Sequence, residues 1–306
     1  MAGIWSAGGA MSSYRDYPQT GGVLTAAFAN GGGGGSNTTE EYDGTSWSAG
    51  GNSAAYRAGS GMGAGTQTAG LAAGGLSGSV TASSEEYDGT SWSAGGNLNA
   101  ARCLIAGCGS QTAGLAISGS NSSFTIIASC EEYNGTSWSA GGDVATKRED
   151  ATGFGEQTSA VCTGGRDESN INTTEEYDGT SWSSGGDLTG GSYSLGGAGE
   201  SATSGVVFGG YVSTGASNKT YEYDGTSWSA GGNLSGTLFR VSGAGSITAA
   251  LACGGRLSGS TTYTTQEYAP VPYLANLKSY NTNLKANIKT INGNLIANCK
   301  SLNTNI

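Results

Sequence analysis

The feature that most constrains the fold of this chain is a segment, EEYDGTSWSAGG, that recurs almost unchanged along the sequence. Its tryptophan falls at six positions: Trp5, Trp47, Trp92, Trp138, Trp182 and Trp228. The intervals between these tryptophans are 42, 45, 46, 44 and 46 residues. Self-similarity at so regular a period is typical of a structure assembled from similar supersecondary units, so the repeat decides the fold class before local propensity is considered.

A period of about 45 residues indicates the four-stranded blade of a β-propeller. In the second unit we predict strands at 59–65, 71–75, 84–88 and 91–94, with turns at 66–70 and 89–90. The Asp88-Gly89 pair marks a hairpin because Gly tolerates the positive φ of a tight turn. Inner strands are nearly all small residues, as expected where backbones converge on an axis. Tyr and Trp are the only large residues of most units, so we expect them to form the packing between blades.

The two ends of the repeat array complement each other. Trp5 lies in a fourth-strand segment with no third strand before it, and Tyr268 lies in a third-strand segment with no Trp after it. Pairing these two segments completes a sixth blade and removes exposed strand edges. The sequence therefore predicts an all-β fold: a six-bladed β-propeller closed by the N-terminal strand, over residues 1–269, followed by a separate C-terminal segment over residues 270–306.

Further landmarks accompany the Tyr and Trp in a constant order. An apolar triplet and a Gly pair precede the Tyr, as at 71–75, although the third unit has Ser118-Gly119 instead. An apolar residue often follows the Trp by six positions, and an Arg follows by ten in four units: Arg15, Arg57, Arg102 and Arg148. This order resembles the kelch repeat over roughly residues 1–269, with a shorter Tyr-to-Trp spacing of five. The resemblance implies a kelch-like propeller.

Composition and charge exclude several classes of function. The net charge is −10, and an acidic chain without a basic stripe is a poor nucleic-acid binder because phosphate neutralisation supplies most of that affinity. No apolar run approaches the roughly 20 residues of a membrane span. The first 13 residues have neither a basic nor an apolar region, so we expect no signal peptide.

Catalytic and metal-binding patterns are absent from the sequence. The chain contains no His, which excludes the usual Ser-His-Asp and Cys-His nucleophiles and the copper site of kelch-bladed galactose oxidase. The Glu-Glu pairs recur at equivalent places in successive units, which favours a scaffold role over paired catalytic carboxylates. Of the six Cys, we expect Cys162 and Cys253 to be small buried hydrophobes. The sequence predicts no enzyme activity, no cofactor and no metal site.

Candidate binding residues lie in the connections that vary between units. The turns after the first and third strands are nearly identical from unit to unit, whereas the other two connections differ, and function concentrates in loops held by a rigid scaffold. In kelch proteins the corresponding face receives partner segments, and Arg there can bind carboxylates. The alternative is that these loops vary because nothing constrains them. The predicted binding residues are Arg15, Arg57, Arg102, Arg148, Arg166, Asp167, Tyr211, Arg240, Arg256 and Tyr263.

The C-terminal segment has a different repeat. After Pro270 and Pro272, an 11-residue unit begins at Ala275 and recurs twice, with apolar residues spaced 3, 4 and 4. That stripe suits a right-handed helical supercoil, but the many Asn, Thr and Ser favour an extended stem. Either form predicts self-association, as a homotrimer; the alternative is a flexible tail docked on its own propeller.

The NIKTING-type repeats of this segment resemble parts of phage tail-fibre and structural proteins. That resemblance implies a non-enzymatic virion fibre or surface appendage, located on the virion, whose propeller binds a host receptor or glycan or another virion protein. The alternative hypothesis is a cellular kelch-type interaction module or lectin, in the cytoplasm or at the cell surface.

Overall fold

The computed structural model describes residues 3–33, 36–58, 61–257 and 260–269. Within these ranges every regular element is a β-strand, and none is a helix. Accordingly, no helix among the described residues has the length and apolar character needed to cross a membrane. The C-terminal segment at 270–306, with its predicted self-association and with Cys299, lies outside the described residues.

The 31 strands of the described residues follow the repeat. The chain begins with β1 (Ile4–Ala7). The first blade contains β2 (Gln19–Val23), β3 (Ala26–Asn30), β4 (Thr39–Tyr42) and β5 (Trp47–Ala49). The second contains β6 (Met62–Thr66), β7 (Ala69–Ala73), β8 (Leu76–Ser77), β9 (Ser79–Val80), β10 (Ser84–Tyr87) and β11 (Trp92–Ala94). The third contains β12 (Arg102–Cys103), β13 (Ala106–Gly109), β14 (Gly114–Ile117), β15 (Ser120–Asn121), β16 (Cys130–Tyr133) and β17 (Trp138–Ala140).

The remaining strands complete three further blades. The fourth blade contains β18 (Thr152–Glu156), β19 (Ser159–Thr163), β20 (Thr174–Tyr177) and β21 (Trp182–Ser184). The fifth contains β22 (Tyr193–Ser201), β23 (Ser204–Val212), β24 (Gly215–Ala216), β25 (Thr220–Tyr223) and β26 (Trp228–Ala230). The sixth contains β27 (Ser242–Ser246), β28 (Ala249–Cys253), β29 (Arg256–Leu257), β30 (Ser260–Thr261) and β31 (Thr265–Ala269).

Six antiparallel sheets form the blades of a closed propeller. Each main sheet runs outward from its innermost strand, as in the order β2-β3-β4-β5. The short strand pairs β8-β9, β12-β15 and β29-β30 lie in the connections. The innermost strands β2, β6, β13, β18, β22 and β27 are neighbours around one axis, and β27 returns to β2. The sixth sheet has the order β27-β28-β31-β1, with Trp5 opposite Tyr268. The predicted six-bladed fold and its closure by the N-terminal strand are therefore confirmed.

The predicted strand bounds in the second blade need correction. The innermost strand β6 begins at Met62 rather than at 59, and β7 spans Ala69–Ala73 rather than 71–75, so the turn between them is only Gln67-Thr68. Strand β7 ends before Gly74 and Gly75 because both have left-handed φ values, +65° and +96°, which a regular strand does not accommodate.

Glycine on the innermost strands permits the close approach of neighbouring blades. A Cβ atom added at Gly63 would lie 2.5 Å from the backbone nitrogen of Thr20 on the adjacent innermost strand, which no real side chain tolerates. The expectation of small residues around the axis is confirmed here. The axis can therefore be lined by backbone, with a central channel left between the strands.

Tyrosine and tryptophan of the repeat link successive blades. The six repeat tyrosines are nearly inaccessible, and five of the six tryptophans are half-buried at the blade edge. The Tyr87 hydroxyl donates to Glu41 of the preceding blade at 2.5 Å, and burial together with that bond raises the pKa of Tyr87 to about 12. Trp92 donates its indole N–H to Thr39 at 2.8 Å. Equivalent tyrosine-to-carboxylate bonds link every neighbouring pair of blades, including Tyr42 to Glu267 across the closure.

The first glutamate of each Glu-Glu pair has an arginine as its partner, whereas the second accepts a tyrosine hydroxyl. In four blades the first glutamate pairs with the Arg that follows the preceding Trp by ten positions, as in Arg148 with Glu175 at 2.5 Å. The other pairs are Arg15–Glu40, Arg57–Glu85 and Arg102–Glu131. The scaffold role predicted for the glutamate pairs is confirmed, since their carboxylates either form these buried ion pairs or accept the tyrosine hydroxyls.

Candidate recognition site on the variable face

The propeller has two unlike ends. One end, called here the constant face, carries the turns after the first and third strands of each blade. Those turns repeat one design: the Asp43 carboxylate accepts the backbone N–H groups of Thr45 and Ser46 at 2.8 and 2.7 Å, and Asp88, Asn134, Asp178 and Asp224 do the same in their blades. The opposite end, called here the variable face, carries the other connections.

Four predicted binding residues are buried beneath the variable face, which corrects the prediction for them. Arg15, Arg57, Arg102 and Arg148 are at most 1 % exposed. Each guanidinium pairs with its glutamate and donates to backbone carbonyl groups, as Arg148 does to Gly164 at 3.0 Å. The arginine ten positions after the Trp is therefore a structural residue. Its charge is withdrawn from water, so it must be neutralised inside the protein.

A ring of residues with left-handed backbone surrounds the axis at the centre of the variable face. One such residue lies in each of five connections between blades: Tyr17, Leu104, Asp150, Ser194 and Arg240, with φ between 55° and 59°. The aligned position of the second blade is Gly59, outside the described residues. Backbone hydrogen bonds join ring members, from Asp150 to Leu104, Ser194 to Asp150, Arg240 to Ser194 and Tyr17 to Arg240, at 2.8–3.1 Å.

Side chains at this ring come at an energetic cost. A left-handed conformation disfavours any residue other than Gly by roughly 1–2 kcal/mol. Five different side chains nevertheless occupy equivalent positions in a chain otherwise rich in Gly. Backbone strain of this kind clusters at functional sites. At the centre of the variable face, the identity of the side chain therefore takes precedence over the conformational preference of the backbone.

A second set of positions surrounds this ring and differs in every blade. In each connection the residue before the ring position pairs through its backbone with the residue after the Gly pair of that blade. These partners are Asp16 with Gly33, Ala58 with Leu76, Cys103 with Ser120, Glu149 with Arg166, Tyr193 with Tyr211, and Phe239 with Arg256. No two pairs are alike, although the blades beneath them are nearly identical.

The Tyr17 side chain lines the central channel at this end and contacts residues of two other blades. A channel of about 360 Å³ runs along the axis, and Tyr17, Asp150 and Ser194 are among its lining residues. The Tyr17 hydroxyl donates to Asp150 Oδ1 at 2.7 Å and lies 2.6 Å from Ser194 Oγ. Burial, with the nearby Asp150 carboxylate, raises the pKa of Tyr17, and burial also raises the pKa of Asp150. Tyr17 therefore stays protonated and acts as a hydrogen-bond donor.

An aromatic arc crosses the fifth and sixth blades on the variable face. The rings of Tyr193 and Tyr211 are 5.5 Å apart between centroids, and those of Tyr211 and Phe239 are 5.4 Å apart. Arg166 lies over the Tyr193 ring at 5.0 Å, and Arg240 lies over the Phe239 ring at 5.7 Å. Each aromatic residue of the arc is half-buried. The arc is a continuous apolar strip with a guanidinium at each end.

Carboxylates balance the guanidiniums around the arc. Arg166 contacts Glu149 at 3.0 Å and Asp150 at 3.2 Å. Arg240 and Arg256 both contact one oxygen of Asp16, each at 3.1 Å. The three guanidiniums remain 37–43 % exposed, so they face solvent while their charge is offset.

The remaining predicted residues divide between this site and its surroundings. Arg166, Tyr211, Arg240 and Arg256 come together at the arc. Asp167 contacts Lys147 at 3.5 Å, with both side chains partly exposed. Tyr263 is 48 % exposed and packs edge-on against Tyr14, with ring centroids 6.4 Å apart. Neither of these two pairs belongs to the arc.

Sequence reasoning missed Tyr193, Phe239 and Asp16, although a signal for them exists. The fifth and sixth units break the Arg–Glu pattern at both of its positions: Ser192 and Leu238 replace the Arg, and Tyr221 and Gln266 replace the Glu. These are the two blades that carry the aromatic arc. Looking for the places where aligned repeats differ, instead of where they agree, would have located the site.

Comparisons with known proteins bear on the fold alone. No protein-family model matches the chain, and no curated protein sequence matches it. A solved structure described as "Structure of YjhT" is similar, with a TM-score of 0.73 and 11 % identity over 87 % of this chain and 98 % of that one. Together with the strand order, this establishes the chain as a six-bladed β-propeller protein. The described residues contain no group of three or more His, Cys, Asp or Glu able to hold a metal ion.

Proposed function

We propose that this protein is a non-enzymatic recognition propeller that binds a host receptor or glycan through the variable face. The observation that carries the proposal is the contrast between scaffold positions that recur in most blades and central positions of the variable face that differ in every described blade. A surface that served only packing would repeat with the blades, as the constant face does. Half-buried aromatic rings beside guanidiniums are the composition that recognition surfaces favour.

Replacing one aromatic residue of the arc tests this proposal. We expect Tyr211→Ala to weaken binding to the receptor-bearing surface by about tenfold or more, because large aromatic anchors carry a disproportionate share of binding energy. Binding is measured with the purified full chain on a glycan array and on membrane extracts of candidate hosts. Val23→Ala is the matched control, since Val23 is 52 % exposed and lies on the constant face.

The control variant should bind as well as the unmodified chain, and thermal unfolding should verify that both variants are folded. Arg256→Gln provides a second variant of the site if Tyr211→Ala is poorly folded. Equal binding by the site variants and the Val23 variant would remove the variable face as the binding surface.

We propose further that the protein is a virion fibre or surface appendage. The support is the resemblance of the repeats at 270–306 to phage tail-fibre segments, together with the position of the last described residue. Ala269 ends β31 at the constant face. The variable face lies at the opposite end of the propeller from Ala269.

The virion assignment has a direct test. Antibodies against the propeller should label purified particles, and light scattering should give about three times the 30.3 kDa mass of one chain if the tail forms the predicted homotrimer. A monomer that does not copurify with particles contradicts the assignment. It would favour the alternative of a cellular kelch-type interaction module or lectin, which uses the same variable face.

A further inference from the structure

We propose that the ligand of the aromatic arc is a neutral saccharide, stacked on Tyr211 and its neighbours and held by the flanking Arg–carboxylate pairs. This inference rests on the proposed function, and it names the chemical class that the site selects. It follows from the charge balance of the site, from the geometry of its aromatic rings and from the polar groups at their ends.

The charge balance argues against an anionic ligand. Three arginines flank the arc, and each is within 3.0–3.2 Å of a carboxylate. The carboxylates involved, Asp16, Glu149 and Asp150, equal the arginines in number, so the guanidinium charges are offset before any ligand arrives. The carboxylates are only 2–15 % exposed and already bind the guanidiniums, so an incoming carboxylate or sulfate would have to compete with them for the same N–H groups, in a chain whose net charge is −10. Arginine therefore acts here as a hydrogen-bond donor rather than as a counter-ion.

The aromatic geometry suits a ligand with apolar faces. Tyr193, Tyr211 and Phe239 form a strip in which neighbouring rings are tilted or edge-on, at 43° and 71°, so the strip is stepped rather than flat. A pyranose ring presents C–H groups on its faces and hydroxyls around its rim. Stacking of the C–H faces on such rings buries apolar area without removing a charge from water.

The ends of the arc supply the matching polar groups. At each end a partly exposed guanidinium, held by its carboxylate, offers N–H donors to the oxygen atoms of adjacent hydroxyls. Arg166 with Glu149 lies at one end of the strip, and Arg240 with Asp16 lies at the other. A strip with guanidinium donors at each end fits a ligand that is apolar on its faces and hydroxylated at its rim.

A glycan array that contains matched neutral and carboxylated sugars tests the inference. We expect the full chain to prefer neutral sugars by about tenfold, and raising salt from about 0.05 M to about 0.5 M to change that binding less than about twofold, because no net charge is neutralised. Tyr211→Ala should abolish the signal. Tyr56→Ala is its matched control, since Tyr56 is 54 % exposed on the same face and is not part of the arc.

A charge-changing variant distinguishes selectivity for neutral saccharides from a general binding role of the variable face. Asp16→Asn leaves Arg240 and Arg256 without their carboxylate, so we expect binding of carboxylated sugars to rise by about tenfold. Asp167→Asn, in the peripheral pair with Lys147, should leave the preference unchanged. Preference of the unmodified chain for acidic sugars, or strong salt dependence, overturns the inference.

The two proposals fail in different ways. If the arc variants abolish binding to a protein receptor while no neutral sugar binds, the recognition role stands and the saccharide inference is wrong. If neutral sugars bind but the arc variants have no effect, this site is not the one that binds them, and both proposals are wrong.

Discussion

Replacing Arg148 by alanine is expected to destabilise the propeller by about 3–5 kcal/mol, because it leaves a buried carboxylate without its counter-ion. The Arg148 guanidinium is fully buried, lies 2.5 Å from Glu175 and donates to Gly164 and Thr173 carbonyl groups at 3.0 and 2.9 Å. Alanine removes all of these bonds at once. The free energy of unfolding is measured by urea denaturation of each variant.

The neighbouring residue supplies the control. Lys147 is half-exposed and pairs with Asp167 at 3.5 Å, so Lys147→Ala should cost no more than about 1 kcal/mol. Replacing both members of the buried pair, as Arg148→Met with Glu175→Leu, should recover much of the lost stability, since no charge then stays buried. Similar losses for Arg148→Ala and Lys147→Ala would mean that the burial of this ion pair has no energetic consequence.

Removing the Trp5 side chain is expected to lower the free energy of unfolding by about 2–3 kcal/mol, part of the cost of truncating a fully buried aromatic residue. Trp5 packs edge-on against Phe208 and at a tilt against Tyr268, with centroids 4.8 and 4.9 Å apart, and donates its indole N–H to Thr220 at 2.9 Å. It belongs to β1, the strand that closes the sixth blade. The contribution of the Trp5 side chain to the free energy of unfolding therefore measures how well the ring of blades is closed.

Trp228 is a matched control for this closure because its blade is continuous in sequence. It packs on Tyr223 at 4.6 Å, faces Phe154 at 6.3 Å and donates to Thr174 at 2.9 Å. We expect Trp5→Ala and Trp228→Ala to destabilise the chain equally within about 1 kcal/mol, as equivalent positions should. A loss near zero for Trp5→Ala alone would mean that β1 does not dock in the sixth blade in solution.

The architecture was predictable because its determinants are local and repeated. The Trp period sets the blade count, the Asp-Gly turns set the hairpins, and the incomplete units at Trp5 and Tyr268 set the closure. Each of these is a property of a short stretch of chain. Six copies of the unit resolve the ambiguity that a single copy would leave in the assignment of its strands. The strand bounds in the second blade were less accurate, since the left-handed Gly74 and Gly75 end a strand that their sequence alone would extend.

The candidate site was only half predictable. Arg166, Tyr211, Arg240 and Arg256 were predicted because they lie in or beside segments whose sequence varies between units. The same reasoning also selected four arginines that are buried in ion pairs, since spacing along the chain carries no information about burial. Tyr193 was missed because it is the first residue of the innermost strand β22 and resembles an ordinary strand residue.

By itself, the sequence determined the number of blades, their order, the closing strand and the two unlike faces, because period and turn chemistry act over a few residues. Only the tertiary structure decided which arginines point inward to glutamate and which remain exposed beside Asp16 and Glu149. It alone brought Tyr193, Tyr211 and Phe239 into one arc and placed Arg166, Arg240, Arg256 and Asp16 beside it. Those contacts join different blades, and the distance between blades is set by packing around the closed ring rather than by any local stretch of chain.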